Sequence, residues 1–111
     1  MEQGTTFETE VFYTKKFLLG YRKCKIRLTV TEEQIREHLR EYITPYQAEL
    51  FREDLRKDEL DIARLIVEIC KHNVEYISKI NSLEYVDLLY AEFIEGTEQD
   101  FEQCVASVLK V

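Results

Sequence analysis

Cys70-Lys71-His72 places a thiol and an imidazole two residues apart, the pair that nucleophilic catalysis uses when the base can reach the sulfur. The spacing works against that chemistry. The surrounding periodicity predicts a helix, and side chains two apart on a helix point in different directions. Cys24 and Cys104 lie far away in the chain, and an odd cysteine count without Cys-x-x-Cys predicts free thiols in a reducing compartment. Each of the three falls on an apolar face, where cysteine serves as a small hydrophobe.

Metal chemistry is no better supplied. His38 and His72 are the only histidines, and they form no His-x-x-x-His box. Glu32, Glu33, Glu37 and Glu41 gather carboxylates on one predicted helix, but Arg36 and Arg40 are interleaved at ion-pairing distances. Asp54, Asp58, Glu59 and Asp61 cluster where two predicted helices meet, a position that suits helix capping and the N-terminal dipole. The three glycines are isolated, so there is no phosphate-cradling loop. The expectation is a protein that is not an enzyme, with no catalytic residue, no metal ligand and no cofactor. A small enzyme with a site invisible in one sequence ranks third.

Binding surfaces are more visible than reactive ones. Lys23, Lys25 and Arg27 share one face of a predicted strand, with Lys15, Lys16 and Arg22 near its turn and Phe12 and Tyr21 adding aromatic surface. A basic ribbon of this kind can contact nucleic acid, which makes a nucleic-acid-binding protein the alternative reading. Glu8 and Glu10 on the same face offset part of the charge. Phe17-Leu18-Leu19, followed by Tyr21, would form an apolar hairpin tip that, if exposed, can anchor a partner and that can equally fold back onto the helices. Toward the other end, Glu84, Asp87, Glu92, Glu95, Glu98, Asp100 and Glu102 meet only Lys110 as counter-charge. They predict an acidic helical face fit for a basic protein. Pairing predicted helices 32–43 and 45–56 as a helix-turn-helix fails, because the second helix would turn acids toward phosphates.

The elements that must carry these surfaces follow from periodicity. Cys24, Ile26, Leu28 and Val30 alternate with Lys23, Lys25, Arg27 and Thr29, a strand signature. Phe7, Thr9, Val11 and Tyr13 match them on an earlier arm, so residues 5–30 predict a hairpin; folding at 17–20 sets Val11 opposite Ile26 and Glu10 opposite Arg27, and a shift by two residues preserves the same faces, which leaves the register open. Leu-Leu suits a two-residue turn poorly, so a longer loop is expected, with Gly20 at positive φ. Thr31-Glu32-Glu33-Gln34 and Thr44-Pro45-Tyr46-Gln47 are capping-box patterns that open helices near 32–43 and 45–56. Asp58 can cap a third helix reaching about residue 80, with a break at His72-Asn73 left open. Two overlapping apolar stripes would make it central. Leu83, Val86, Leu89, Tyr90, Phe93 and Ile94 predict a fourth helix over 81–95, stopped by Gly96. Thr97 caps a fifth, striped by Phe101, Cys104, Val105, Val108 and Leu109.

The fold class expected is therefore α+β: an N-terminal antiparallel hairpin (5–30) packed on four to five short helices (31–110), in one domain spanning 1–111. No 20-residue apolar stretch and no secretory signal follow Met1, so the chain is expected to be cytoplasmic or otherwise intracellular, with no membrane contact. A net charge of −7 disfavours general phosphate binding. That charge is uneven: residues 1–30 carry six Lys/Arg against three acids, and 81–111 one against seven. The expected function is a non-enzymatic protein–protein interaction module such as an assembly factor, adaptor, inhibitor or complex subunit. Its partner would be a protein, a basic one for the acidic face, or a second copy of the chain.

Overall fold

The computed structural model describes residues 5–81 and 85–111. It is α+β, with elements in the order β1 (Thr6–Phe17), β2 (Gly20–Thr31), α1 (Glu32–Glu41), α2 (Pro45–Arg56), α3 (Ile62–Cys70), α4 (Val74–Asn81), β3 (Tyr85–Phe93) and α5 (Glu98–Leu109). The three strands form one antiparallel sheet in the order β2-β1-β3. Its inner face lies on the helices and its outer face carries the polar side chains, as a one-sided antiparallel sheet does.

Of the registers that keep the faces, the hairpin takes the one with Val11 opposite Ile26 and Glu10 opposite Arg27. Phe7, Thr9, Val11, Leu28 and Val30 are buried together. The turn is shorter than expected. Phe17 pairs with Gly20, which leaves Leu18 and Leu19 as a two-residue connection. Primed hairpin turns need positive φ at a central residue, and neither leucine has it; Gly20 takes φ +146° instead. The glycine absorbs backbone geometry that the leucines cannot.

The segment expected to be a fourth helix is β3. It pairs with β1 from Thr9↔Phe93 to Lys15↔Tyr85, with register shifts at Phe12/Tyr13 and Thr14/Lys15. These shifts leave Leu89 and Val86 as extra residues, as β-bulges do. The residues packed against the core are Leu88, Ala91 and Phe93, whereas Leu89, Tyr90 and Ile94 of the expected helical stripe are exposed. Gly96, at φ +67°, therefore closes a turn after a strand instead of ending a helix.

The long central helix divides in two. Asp58 sits at φ +57° beyond α2, and Asp61 is the residue that caps α3, accepting from the Arg64 amide at 3.1 Å. α3 ends at Cys70, and Asn73 starts α4, its Oδ1 accepting from the Glu75 amide at 2.9 Å. The centrality expected of the long helix holds for α3, where Ile62, Leu65, Ile66, Val67 and Ile69 are all buried. α5 returns across the layer, and Phe101 meets Phe7 edge-on at 5.5 Å and Phe93 at 5.5 Å. One aromatic cluster thus ties β1, β3 and α5 together.

Both capping boxes are present: Thr31 and Gln34, and Thr44 and Gln47, bond reciprocally at 2.9 and 3.1 Å. Thr97 occupies the cap position of α5 without a side-chain cap bond. Thr44→Ala is therefore expected to cost about 1 kcal/mol, whereas Thr97→Ala stays within about 0.5 kcal/mol. Urea denaturation of the two variants beside the wild type measures the difference.

Candidate interaction surfaces

The hairpin continues past its support. Lys15 is the last β1 residue paired to β3, and nothing from Thr14 to Lys23 is buried. Leu18 and Leu19 are fully exposed, and Phe17 and Tyr21 are exposed as well. Arg22 lies over the Phe17 ring at 4.4 Å and Lys15 at 5.9 Å from it. With Lys16 and Lys23 these make a cationic collar around an apolar tip. The sequence contains no acid between Glu10 and Glu32 to balance it.

Lys25 and Arg27, further along β2, are placed differently. Glu10 bridges them at 3.2 and 3.5 Å, and its carboxyl is held below the usual range first by the Lys25 hydrogen bond. Of the three cations proposed for nucleic acid, two are therefore tied to one carboxylate. Phe12 is not part of the tip; it stacks on Tyr90 of β3 at 4.7 Å on the outer sheet face.

The acidic residues do not form a helical face. Asp87 and Glu92 lie on β3 across from Thr14 and Glu10, Glu95 follows the strand, and Glu98, Asp100 and Glu102 belong to α5. The strand assignment separates residues that a helix would have gathered. Glu98 and Asp100 stand in the first turn of α5, where acids complement the helix dipole. The Glu102 carboxyl is raised by burial first, then by Asp58 and Glu98. Glu84 lies outside the described residues.

The two histidines meet. His38 lies on α1 and Tyr42 caps its C-terminal end, its amide donating to the His38 carbonyl, and the α3–α4 break places His72 against them. Tyr42 stacks on His72 at 3.8 Å, and the two imidazoles are 5.6 Å apart. His38 is 6% exposed, and its Nδ1 is buried without a hydrogen-bond partner among the described residues. Burial, and then the neighbouring His72, lower the His38 pKa; Glu68 opposes them. Cys70 takes no part, because burial pushes its thiol up to about 12, far from the thiolate that nucleophilic attack requires. Among the described residues no three His, Cys, Asp or Glu side chains group to hold a metal.

His38 and Tyr42 also line a cleft of ≈ 410 Å³ between α1, α2 and α3. Ile43, Leu50, Phe51 and Leu65 supply its apolar surface, and Asp54, Asp61, Glu68 and Arg64 its charges. The cleft exists because α2 is only lightly packed and buries no residue fully. α2 is tied instead to α5, through Arg52 Nε donating to the Leu109 carbonyl at 2.7 Å. No sequence signal marks the cleft, since its parts come from three separate segments. The capping boxes that open α1 and α2 were the nearest hint.

Among the described residues, no helix is long and apolar enough to cross a membrane. Comparisons with protein-family models, with curated proteins and with solved structures find no match for this chain.

Because His38 is held neutral, the folded protein binds fewer protons than the unfolded chain just below the ordinary imidazole pKa. Its contribution to stability is complete above ~6.5 and is lost as pH falls from there toward the lower folded value. Denaturation midpoints between about pH 7.5 and about pH 5 are expected to decline with acidification, and His38→Phe to flatten that decline.

Proposed function

We propose that this chain is a non-enzymatic protein–protein interaction module whose principal contact element is the hairpin tip. The observation that carries this reading is the exposure of Leu18 and Leu19 at the end of a hairpin that outruns its own core. Burying a leucine is worth roughly 1.5–3 kcal/mol, and this protein leaves two of them, flanked by Phe17 and Tyr21, in water. Single exposed apolar residues are ordinary; four at one projecting turn form an anchor of the kind found at interface centres.

The collar of Lys15, Lys16, Arg22 and Lys23 selects the partner's chemistry. An apolar hollow with carboxylates at its rim satisfies both parts of the tip, and the cations speed the encounter. The dispersed acids of β3 and α5 then stand as a secondary surface, toward which a basic segment of the same partner is attracted.

Affinity capture with the full chain tests this reading against a Leu18→Asp/Leu19→Asp variant. Both positions are fully exposed, so unfolding midpoints are expected to agree within about 0.5 kcal/mol. The variant is expected to lose the proteins that the wild type retains. Equal retention by both chains would remove the tip from the contact.

A further inference from the structure

The tip calls for an apolar hollow with an acidic rim, and the same chain contains one. The cleft between α1, α2 and α3 has Leu50 and Phe51 on its apolar side and Asp54 and Glu68 among its charges. Building on the reading of the tip as the contact element, we propose that its partner is a second copy of this chain, whose α1–α2–α3 cleft receives Leu18 and Leu19.

Three observations bear on the fit. The first is charge. Asp54, Asp61 and Glu68 outnumber Arg64 at the cleft. Asp61 is shared with Arg64 at 3.8 Å and Glu68 with Lys71 at 3.0 Å, whereas Asp54 makes no contact ion pair among the described residues and acts on Lys57 only at longer range. Lys16 and Lys23 at the tip have none there either. The excess of carboxylates at the cleft and the cations at the tip are therefore complementary.

The second is apolar supply and demand. Leu50 remains 44% exposed in the cleft although it lies on the apolar side of α2. The cleft volume of ≈ 410 Å³ falls within the ~300–1,000 Å³ range of pockets that hold compact ligands. The third is placement. The hollow at the tip is lined by residues of the hairpin turn, Phe17 through Arg22, and none of the cleft's lining residues belongs to a strand. Tip and cleft therefore do not meet within one chain. The contact joins different surfaces of the two copies, so it closes only if a two-fold pair makes it reciprocally, and otherwise propagates head to tail.

Light scattering coupled to size exclusion, over a concentration series, reads the mass directly against the 13.3 kDa monomer. The wild type is expected to rise above monomer mass. Leu18→Asp/Leu19→Asp removes the tip and Leu50→Lys places a cation in the cleft, and each variant alone is expected to associate at least ~tenfold more weakly. Circular dichroism checks that both are folded. An equal mixture of the two variants is decisive, because it supplies an intact cleft on one chain and an intact tip on the other. Association restored in that mixture supports the proposal. A wild type monomeric at every concentration, a mixture no heavier than its components, or variants that associate as strongly as the wild type would overturn it. A monomeric wild type whose tip variant still loses a captured protein overturns only the self-docking. A monomeric wild type whose tip variant captures everything removes the interaction reading as well.

Discussion

A strand whose face is covered by helices cannot leave one edge unpaired without stranding peptide groups where water reaches them poorly. β1 is in that position. Phe7, Thr9 and Val11 are each no more than 1% exposed, and β1 is paired by β2 along one side and, from Thr9 to Lys15, by β3 on the other. Even the buried Thr9 hydroxyl is accounted for, donating to the Leu28 carbonyl at 3.2 Å. The rest of the architecture follows from supplying that second edge. The chain makes its hairpin first and its helices next, and then returns with a strand antiparallel to β1. α5 closes the layer by setting Phe101 against the rings of Phe7 and Phe93, one from each of the strands so joined.

This order explains what could be read from the residues and what could not. The hairpin and its two faces were legible because both arms keep an undisturbed period of two, but the register was not, since a shift by two residues preserves the same faces. The starts of α1 and α2 were legible because a capping box is a local device, complete within four residues. β3 was misread for a physical reason. Its two register shifts interrupt the alternation, and Val86, Leu89, Tyr90, Phe93 and Ile94 recur at helical spacing although Leu88, Ala91 and Phe93 are the residues packed on the core. Its identity depends on an edge of β1 some eighty residues earlier in sequence, which no local pattern records. The helix break at Asn73 was visible only as an option, since polar residues interrupt a continuous stripe without dictating how the chain turns.

The surfaces divide in the same way. The apolar run Phe17-Leu18-Leu19 was legible at the point where the arms reverse, but its exposure was not, since a tip folded back onto the helices has the same sequence. The acidic face was not, because its geometry was inferred from a helix that does not form. The His38–Tyr42–His72 cluster and the cleft beside it are tertiary facts, produced where α1 crosses the end of α3. The uneven charge also takes a spatial form. Across the outer sheet face the strands run from cationic β2, through Glu10 of β1, to Glu92 of β3. Glu10 faces one like charge and two opposite ones, and its short contacts go to Lys25 and Arg27.

β2 pairs only with β1 and is an edge of the sheet. An edge of twelve residues is a template on which another molecule can continue the sheet without limit, the first step toward fibrils. Lys23, Lys25 and Arg27 alternate along that strand with no acid of its own among them. A second β2 laid alongside would bring these cations against their own kind, while Glu10 stays on the far side, committed to its own chain. The hairpin thus carries its exposed apolar residues at the turn and like charges along its open flank, which disfavours continuing the sheet through that edge.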